Sequence, residues 1–171
     1  MAAATLISVE EYLNTSYHPD RDYVDGELLE RNVGELYHSE TMSNTLYYLR
    51  DTYPQLRRRV LLSLRVQVNA SRVRVPDVCV LAENAPDEQV PRIPPALCVE
   101  ILAQGDRFAA FMERLDDYFR MGVPVCWVID PLAPRAWIAT HGQLVEPSDG
   151  ILRAGEIEMP LRDILKLVPS E

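Results

Sequence analysis

Two short apolar segments, each interrupted by one acidic residue, constrain the fold of this chain more than any other feature. Residues 73–81 read VRVPDVCVL and residues 97–102 read LCVEIL, so Asp77 and Glu100 stand inside apolar runs. Side chains alternate between the two faces of a strand, and Asp77 therefore shares a face with the apolar residues around it. Strands that are apolar on both faces are typical of the covered centre of a sheet, where we expect both segments.

An ionised carboxylate is costly inside a protein unless a partner compensates its charge. Two carboxylates on neighbouring buried strands would also repel each other, and a shared cation is the simplest compensation. The alternative is that each acid caps a turn or pairs with an arginine, since every basic residue except Lys166 is an arginine. The sequence leaves both arrangements open.

Length and composition predict one globular domain over residues 1–171. The chain is 47% hydrophobic and 25% charged, which is ordinary for a globular protein. Its net charge of −9 argues against broad adhesion to nucleic acid or anionic membranes, but leaves room for a local basic site. We find no membrane-length apolar run, no basic signal-peptide start, and no disulfide or metal spacing among the three cysteines. We therefore expect a cytoplasmic protein with buried cysteines.

Hydrophobic periodicity and turn residues predict an α/β fold, with a mixed β-sheet flanked by helices. Helices are expected at residues 8–13, 33–53 and 107–121, with Ser8 and Asp106 as N-caps of the first and third. Hairpins are expected at residues 22–31, where Asp25 and Gly26 form the turn, at residues 62–81 and at 136–145. A strand at 123–130 follows the third helix, and this β-α-β order predicts that it runs parallel to the Glu100 strand. A short strand or turn and a small helix near 161–167 complete the chain.

The second predicted helix adds two polar candidates to the site. Its apolar stripe runs at helical spacing from Met42 to Tyr53 and, extended backwards, meets His38 and then Glu35. A lone histidine in such a place is more often a hydrogen-bonded core residue. Because both residues point at the core that also receives Asp77, a functional site is the second interpretation.

Five segments, in this order, also carry a family resemblance. They are YVDGEL at 23–28, NVGELYHS at 32–39, RVPDVCV at 74–80, CVEIL at 98–102 and DDYFRMGVPVCWVIDP at 116–131. This set resembles the Uma-two family of restriction endonuclease-like proteins, in the PD-(D/E)xK nuclease superfamily. The resemblance covers nearly the whole chain and implies a single restriction-endonuclease-like domain.

The resemblance implies a metal-dependent nuclease that hydrolyses phosphodiester bonds, with DNA as the expected substrate. Asp77 and Glu100 would be catalytic metal ligands, and Glu35 or His38 would complete the metal site. Carboxylate oxygens suit Mg²⁺, or Mn²⁺ in its place. A metal bound there would lower the pKa of a water molecule and offset the charge that develops on the phosphate.

Two departures from the family pattern bear on catalysis. The expected lysine position holds Leu102, and the basic residue on the following helix, which we take as the third catalytic residue, is Arg114. An arginine stays protonated and cannot act as a base, but it can orient a water molecule or stabilise phosphate charge. The alternative for Arg114 is a pair with Asp117 on the helix surface. In addition, Ala103 and Gln104 replace the usual Ser-Pro beside the site.

Six arginines form the concentrated basic patch of the sequence and are the candidates for binding nucleic acid: Arg57, Arg58, Arg59, Arg65, Arg72 and Arg74. Phosphate contacts by these residues would make binding strongly salt-dependent, whereas a solvated strand face is the alternative. Two functions therefore remain open. One is a metal-dependent DNA nuclease, compatible with a homodimer because cutting two strands favours paired sites. The other is a catalytically weak or inactive nucleic-acid-binding or protein-interaction module on the same fold.

Overall fold

The computed structural model describes residues 6–31 and 35–165. Its helices are α1 (Val9–Leu13), α2 (Leu36–Thr52) and α3 (Phe108–Met121), and 3₁₀ turns span Pro54–Leu56 and Leu161–Asp163. The strands are β1 (Asp22–Val24), β2 (Glu27–Leu29), β3 (Val60–Leu62), β4 (Val66–Asn69), β5 (Arg72–Arg74), β6 (Val78–Val80), β7 (Leu97–Ile101), β8 (Cys126–Asp130), β9 (Arg135–Thr140), β10 (Gln143–Val145), β11 (Ile151–Ala154) and β12 (Ile157–Pro160).

A six-stranded mixed sheet in the order β10-β9-β8-β7-β6-β3 forms the centre of the fold. β7 and β8 pair in parallel, with α3 between them in sequence, as the β-α-β order predicted. Alternation along β7 sends Val99 into the core that contains Leu49 of α2, and Cys98 into the core that contains Leu115 of α3. Glu100 lies two residues from Cys98, so its side chain faces α3.

The chain passes between sheets at two corners where the sequence predicted continuous strands. β5 belongs to a four-stranded sheet in the order β2-β1-β5-β4, whereas β6 belongs to the six-stranded sheet. Pro76 lies between them and has no N–H to donate to a ladder. Asp77 is therefore a corner residue immediately before β6, and the prediction that it lies inside a strand is wrong.

The predicted strand through residues 62–68 is likewise divided, into β3 and β4 of different sheets. Ser63 forms this second corner with a φ of 45°. Its backbone N–H donates a hydrogen bond to the Asp77 carbonyl at 3.1 Å. The two corners are thus joined directly, which fixes where one sheet meets the other.

Local sequence signals at the N-terminal side are confirmed. The Ser8 side chain accepts a hydrogen bond from the Glu11 N–H at 3.0 Å and caps α1. Asp25 and Gly26 have φ values of 52° and 98°, which are the positive angles of a two-residue hairpin turn.

The three cysteines are buried, and burial raises the pKa of the Cys79 thiol to about 12. Within residues 6–31 and 35–165, no helix is both long and apolar enough to cross a membrane.

Three expectations about element ends are corrected. The N-cap of α3 is Arg107, while Asp106 instead accepts a hydrogen bond from the Ala103 N–H at 2.9 Å. The amphipathic pattern of residues 107–121 predicts Phe108 on the apolar stripe of α3, but this residue is 75% exposed. The C-terminal region forms the hairpin β11–β12 and a 3₁₀ turn, and residues 166 and 167 of the predicted small helix lie outside the described residues.

The end of α3 provides a test of the packing. Gly122 has a φ of 109°, and a Cβ added there would lie 3.3 Å from Pro94 Cγ. Gly142 has a φ of 79°, and a Cβ there would contact nothing within 4 Å. We expect Gly142→Ala to lower the free energy of unfolding by about 1–2 kcal/mol, the cost of a left-handed alanine, and Gly122→Ala to lower it further. Urea unfolding measures both, and equal losses would contradict a role for the Pro94 contact.

Candidate active site

The fold brings the two central acids together at the junction of the sheets. β6 pairs antiparallel with β7, and the register sets Val78 opposite Val99. Asp77 precedes β6 and Glu100 lies within β7, and each is only 1% exposed. Asp77 Oδ2 accepts a hydrogen bond from the Ile101 N–H at 2.8 Å, next to Glu100 in sequence. Two buried carboxyl groups therefore occupy one neighbourhood, as expected from the sequence.

Asp77 is held by an arginine and a histidine. Arg31, two residues after β2, donates from Nη2 to Asp77 Oδ1 at 2.7 Å. His38, in the first turn of α2, is buried with Nε2 3.4 Å from Asp77 Oδ2. Burial acts to raise the pKa of Asp77, but His38 and Arg31 together hold it below its usual range. Burial in turn acts to lower the pKa of His38, and Asp77 overcomes this and raises it.

Glu100 is held from the side of α3. The Tyr118 hydroxyl donates to Glu100 Oε1 at 2.6 Å, and Arg114 Nη1 donates to Oε2 at 3.0 Å. Arg114 and Tyr118 are four residues apart and therefore lie on one face of the helix. Burial raises the pKa of Glu100, and the negative charge of Asp77 adds to this, whereas Arg114 opposes it. The pKa values of the two acids are thus shifted in opposite directions.

Asp22 is a third buried acid, and no pattern in the sequence singled it out. β1 pairs with β5 in a register that sets Tyr23 opposite Val73, which brings Asp22 beside Arg74. Asp22 Oδ2 accepts hydrogen bonds from Arg74 Nη1 at 3.0 Å and from Arg114 Nε at 3.1 Å.

We name this group the acid–arginine cluster. It consists of three carboxylates and three arginines, namely Asp22, Asp77, Glu100, Arg31, Arg74 and Arg114. Removal of a buried charge partner is costly because the other charge is left uncompensated in the interior. The cluster therefore ties together both sheets and α3.

The acid pair, as arranged, does not fit a divalent metal ion. Each of the four carboxylate oxygens of Asp77 and Glu100 has a protein donor within 3.0 Å. Nη2 of Arg31 also lies 3.8 Å from Glu100 Oε2, so one nitrogen stands near both acids where a shared cation would lie. Within residues 6–31 and 35–165, no group of three or more His, Cys, Asp or Glu residues is arranged to hold a metal. The compensation found is the arginine pairing that the sequence had left open.

Glu35 lies at the edge of this site. It is the N-cap residue of α2, with extended backbone angles. Its Oε2 accepts a hydrogen bond from the Gln104 N–H at 3.4 Å, in the loop that follows β7. The structure thus directs Glu35 to that loop, while His38 reaches Asp77.

The pairing of Arg114 differs from the surface pair that helical spacing allowed. Arg114 bonds to Asp22 and Glu100, whereas Asp117 accepts hydrogen bonds from Arg72 Nη1 at 3.0 Å and from Arg74 Nε at 2.7 Å. Arg114 is therefore directed into the site where the sequence predicted it.

The expectation that six arginines form one basic surface requires correction. Arg74 is 1% exposed, and its guanidinium bonds to Asp22 and Asp117, so it has no surface to present to a phosphate. Arg72 pairs with Asp25, and also with acidic residues of α3. These two arginines belong to β5, which lies beside β1 and α3, and acidic side chains of both elements form ion pairs with them.

Arg65 is also engaged internally. Its guanidinium pairs with Asp20 at 2.7 Å and lies 4.3 Å from the centre of the Tyr12 ring. Arg57 and Arg58 are exposed, and Arg59 is half-buried and donates to the carbonyls of residues 83 and 85. The surface arginines of the expected patch are thus the three at residues 57–59.

Two of the residues that sequence reasoning missed depend on long-range pairing. Asp22 and Arg31 reach the cluster because β1 pairs with β5, about fifty residues away, and no local pattern indicates that pairing. Tyr118, in contrast, could have been predicted from a local signal in the sequence. It stands four residues after Arg114 on the same helix face, a spacing that brings both side chains to one neighbour.

Comparison with known proteins assigns this chain to a protein family. The family model Uma2, described as "Putative restriction endonuclease", matches residues 9–161, and the chain belongs to this family. A crystal structure described as "a putative nuclease belonging to DUF820 from Anabaena variabilis ATCC 29413" is similar with a TM-score of 0.76 and 19% identity. The match covers 92% of this chain and 97% of that one, and confirms the α/β, restriction-endonuclease-like mixed-sheet fold. No curated protein matches the chain.

The buried pairing predicts a large effect of removing Arg114. We expect Arg114→Met to lower the free energy of unfolding by about 3–5 kcal/mol, because it leaves Glu100 and Asp22 without one of their buried partners. Arg135→Met is the matched control, since Arg135 pairs with Glu146 in solvent. The control should leave the urea midpoint unchanged. Similar midpoints for both variants would show that the cluster does not stabilise the fold.

Proposed function

We propose that the chain is a nuclease that hydrolyses phosphodiester bonds in DNA, with Asp77 and Glu100 at its centre. One observation carries the proposal. His38 of α2, Asp77 at the corner before β6, Glu100 of β7 and Arg114 of α3 meet at one site of a fold that the Uma2 family shares. Buried titratable groups with shifted pKa values gather at functional sites more often than elsewhere.

The electrostatics of the acid pair support a chemical role. The pKa of Asp77 is lowered and that of Glu100 is raised. Carboxyl groups whose pKa values are pushed apart are typical of sites that divide acid and base roles between two residues. Arg114 offers a planar donor that suits phosphate oxygens and stays charged. Its side chain is 16% exposed, so it is the most accessible cation of the three in the cluster.

Mg²⁺, or Mn²⁺ in its place, is the cofactor that we propose with this activity. Each oxygen of Asp77 and Glu100 already accepts a hydrogen bond, and Arg31 Nη2 stands between the two groups, so the binding of a shared metal requires that guanidinium to move. DNA is the substrate that we propose, because the family is described in terms of restriction endonucleases. Arg57, Arg58 and Arg59 are the residues that we propose for phosphate contacts. A homodimer stays a prediction.

A second function is favoured by the pairing itself. Arg31 and Arg114 neutralise the acid pair, and Leu102 stands where the nuclease pattern has its lysine. A chain with these features can bind nucleic acid or another protein on the same fold without efficient hydrolysis. DNA binding without a cleavage product distinguishes this function from the first.

A cleavage assay tests the leading proposal. We expect the wild type to nick or linearise plasmid DNA with Mg²⁺ or Mn²⁺, and Asp77→Asn and Glu100→Gln each to reduce the rate by about 10²-fold or more. Arg135→Met, remote from the cluster, should keep its activity. A wild type that binds DNA without product would favour the second function, and cleavage that survives both acid variants would exclude this centre.

A salt titration tests the DNA-contacting surface. Combining Arg57→Gln with Arg58→Gln should reduce the slope of log affinity against log salt by roughly 2, about one unit for each phosphate that an arginine no longer neutralises. The control combines Arg153→Gln with Arg162→Gln, which removes equal charge from the C-terminal region. Fluorescence anisotropy with a labelled duplex gives both slopes. Equal slopes in the two double variants would show that residues 57 and 58 are not a preferred contact.

A further inference from the structure

We propose that Arg31 is a built-in competitor for a divalent cation at the Asp77–Glu100 pair. Its Nη2 lies 2.7 Å from Asp77 Oδ1 and 3.8 Å from Glu100 Oε2, so a single positively charged group stands between the two carboxylates. A metal shared by these two acids would need the same space. The choice of Mg²⁺ or Mn²⁺ as the competing cation rests on the proposed nuclease function.

Among the described residues, Arg31 makes fewer hydrogen bonds to the cluster than Arg114 does. Its Nε is buried without a hydrogen-bond partner, and Asp22 Oδ1 is 3.9 Å away from it. Arg114, in contrast, donates from Nε to Asp22 and from Nη1 to Glu100. A buried donor without a partner is unfavourable. Among the described residues, the departure of Arg31 breaks one hydrogen bond to the cluster, whereas that of Arg114 would break two.

Charge explains why Arg31 and a metal exclude each other. The cluster holds three carboxylates and three guanidiniums, and Arg74 is shared with a further buried carboxylate, that of Asp117. A doubly charged ion added with Arg31 in place would bring two further positive charges into a buried site, which is strongly unfavourable. An exchange of Arg31 for the ion adds only one.

The residues that remain after such an exchange match what a hard cation requires. Asp77 Oδ1 loses its donor, and Glu100 Oε2 keeps only Arg114. Mg²⁺ is bound in proteins through one or two carboxylates, with water in the other positions. The Ile101 N–H and His38 would continue to hold Asp77 Oδ2, which fixes the orientation of that carboxylate.

A Mn²⁺ titration followed by thermal unfolding and by calorimetry tests the proposal. Arg31→Met should reach its Mn²⁺ binding midpoint at a concentration at least tenfold below that of the wild type. In EDTA, this variant should unfold at a lower temperature than the wild type. Arg21→Met is the matched control, because Arg21 pairs with Glu30 at the surface and its loss changes the net charge equally. The control should keep the wild-type midpoint. The double variant that combines Arg31→Met with Asp77→Asn should lose this gain in Mn²⁺ affinity.

The other outcomes of this titration each support or overturn the role proposed for Arg31. An Mn²⁺ midpoint in Arg31→Met that equals or exceeds the wild-type value overturns the proposal. If the methionine variant does not fold, Arg31→Gln, which keeps a donor for Asp77, replaces it. Failure of both variants to fold with and without Mn²⁺ would make Arg31 a structural residue and end the proposal. A gain in Mn²⁺ binding with no DNA cleavage by any variant supports this inference and refutes the proposed nuclease function alone.

Discussion

The buried pairing of carboxylates with guanidiniums is the interaction on which the rest of the structure depends. Asp22 comes from the four-stranded sheet, Glu100 from the six-stranded sheet and Arg114 from α3, and the three are joined by direct hydrogen bonds. A single unpaired charge in such a place would cost on the order of several kcal/mol. The four-stranded sheet also docks through apolar packing, since Val66 and Val68 of β4 enter the core that contains Leu115 of α3. Charge pairing acts beside this packing.

The sequence predicted what local patterns determine and missed what distant pairing determines. The Ser8 cap and the parallel β7–β8 pair follow from residues close together in the chain, and both are confirmed. The corners at Ser63 and Pro76 were missed because apolar alternation continues across them, whereas the backbone changes sheet. Asp22 was missed because its burial depends on a pairing between segments about fifty residues apart.

The site shows the same division between local and long-range information. Apolar context was enough to single out Asp77 and Glu100, although the strand alternation assumed for Asp77 does not hold at its corner. A buried acid pair does require positive charge. Which group supplies that charge depends on where the arginines lie after folding, and sixteen of them could not be ranked from the sequence. The chain supplies it from Arg31 and Arg114. Membership of the Uma2 family thus defines the fold, while the cation between the acids is set by where these side chains lie.

The position of Arg114 and Tyr118 on α3 has a consequence for how this chain tolerates change. Both side chains bond to Glu100 across one helical turn. Inserting or deleting one residue between the start of α3 and Arg114 would rotate both by about 100° and move them about 1.5 Å along the axis. Such a change in length would withdraw two hydrogen bonds from a buried carboxylate at once. Changes of chain length in this part of α3 are therefore expected to destabilise the fold.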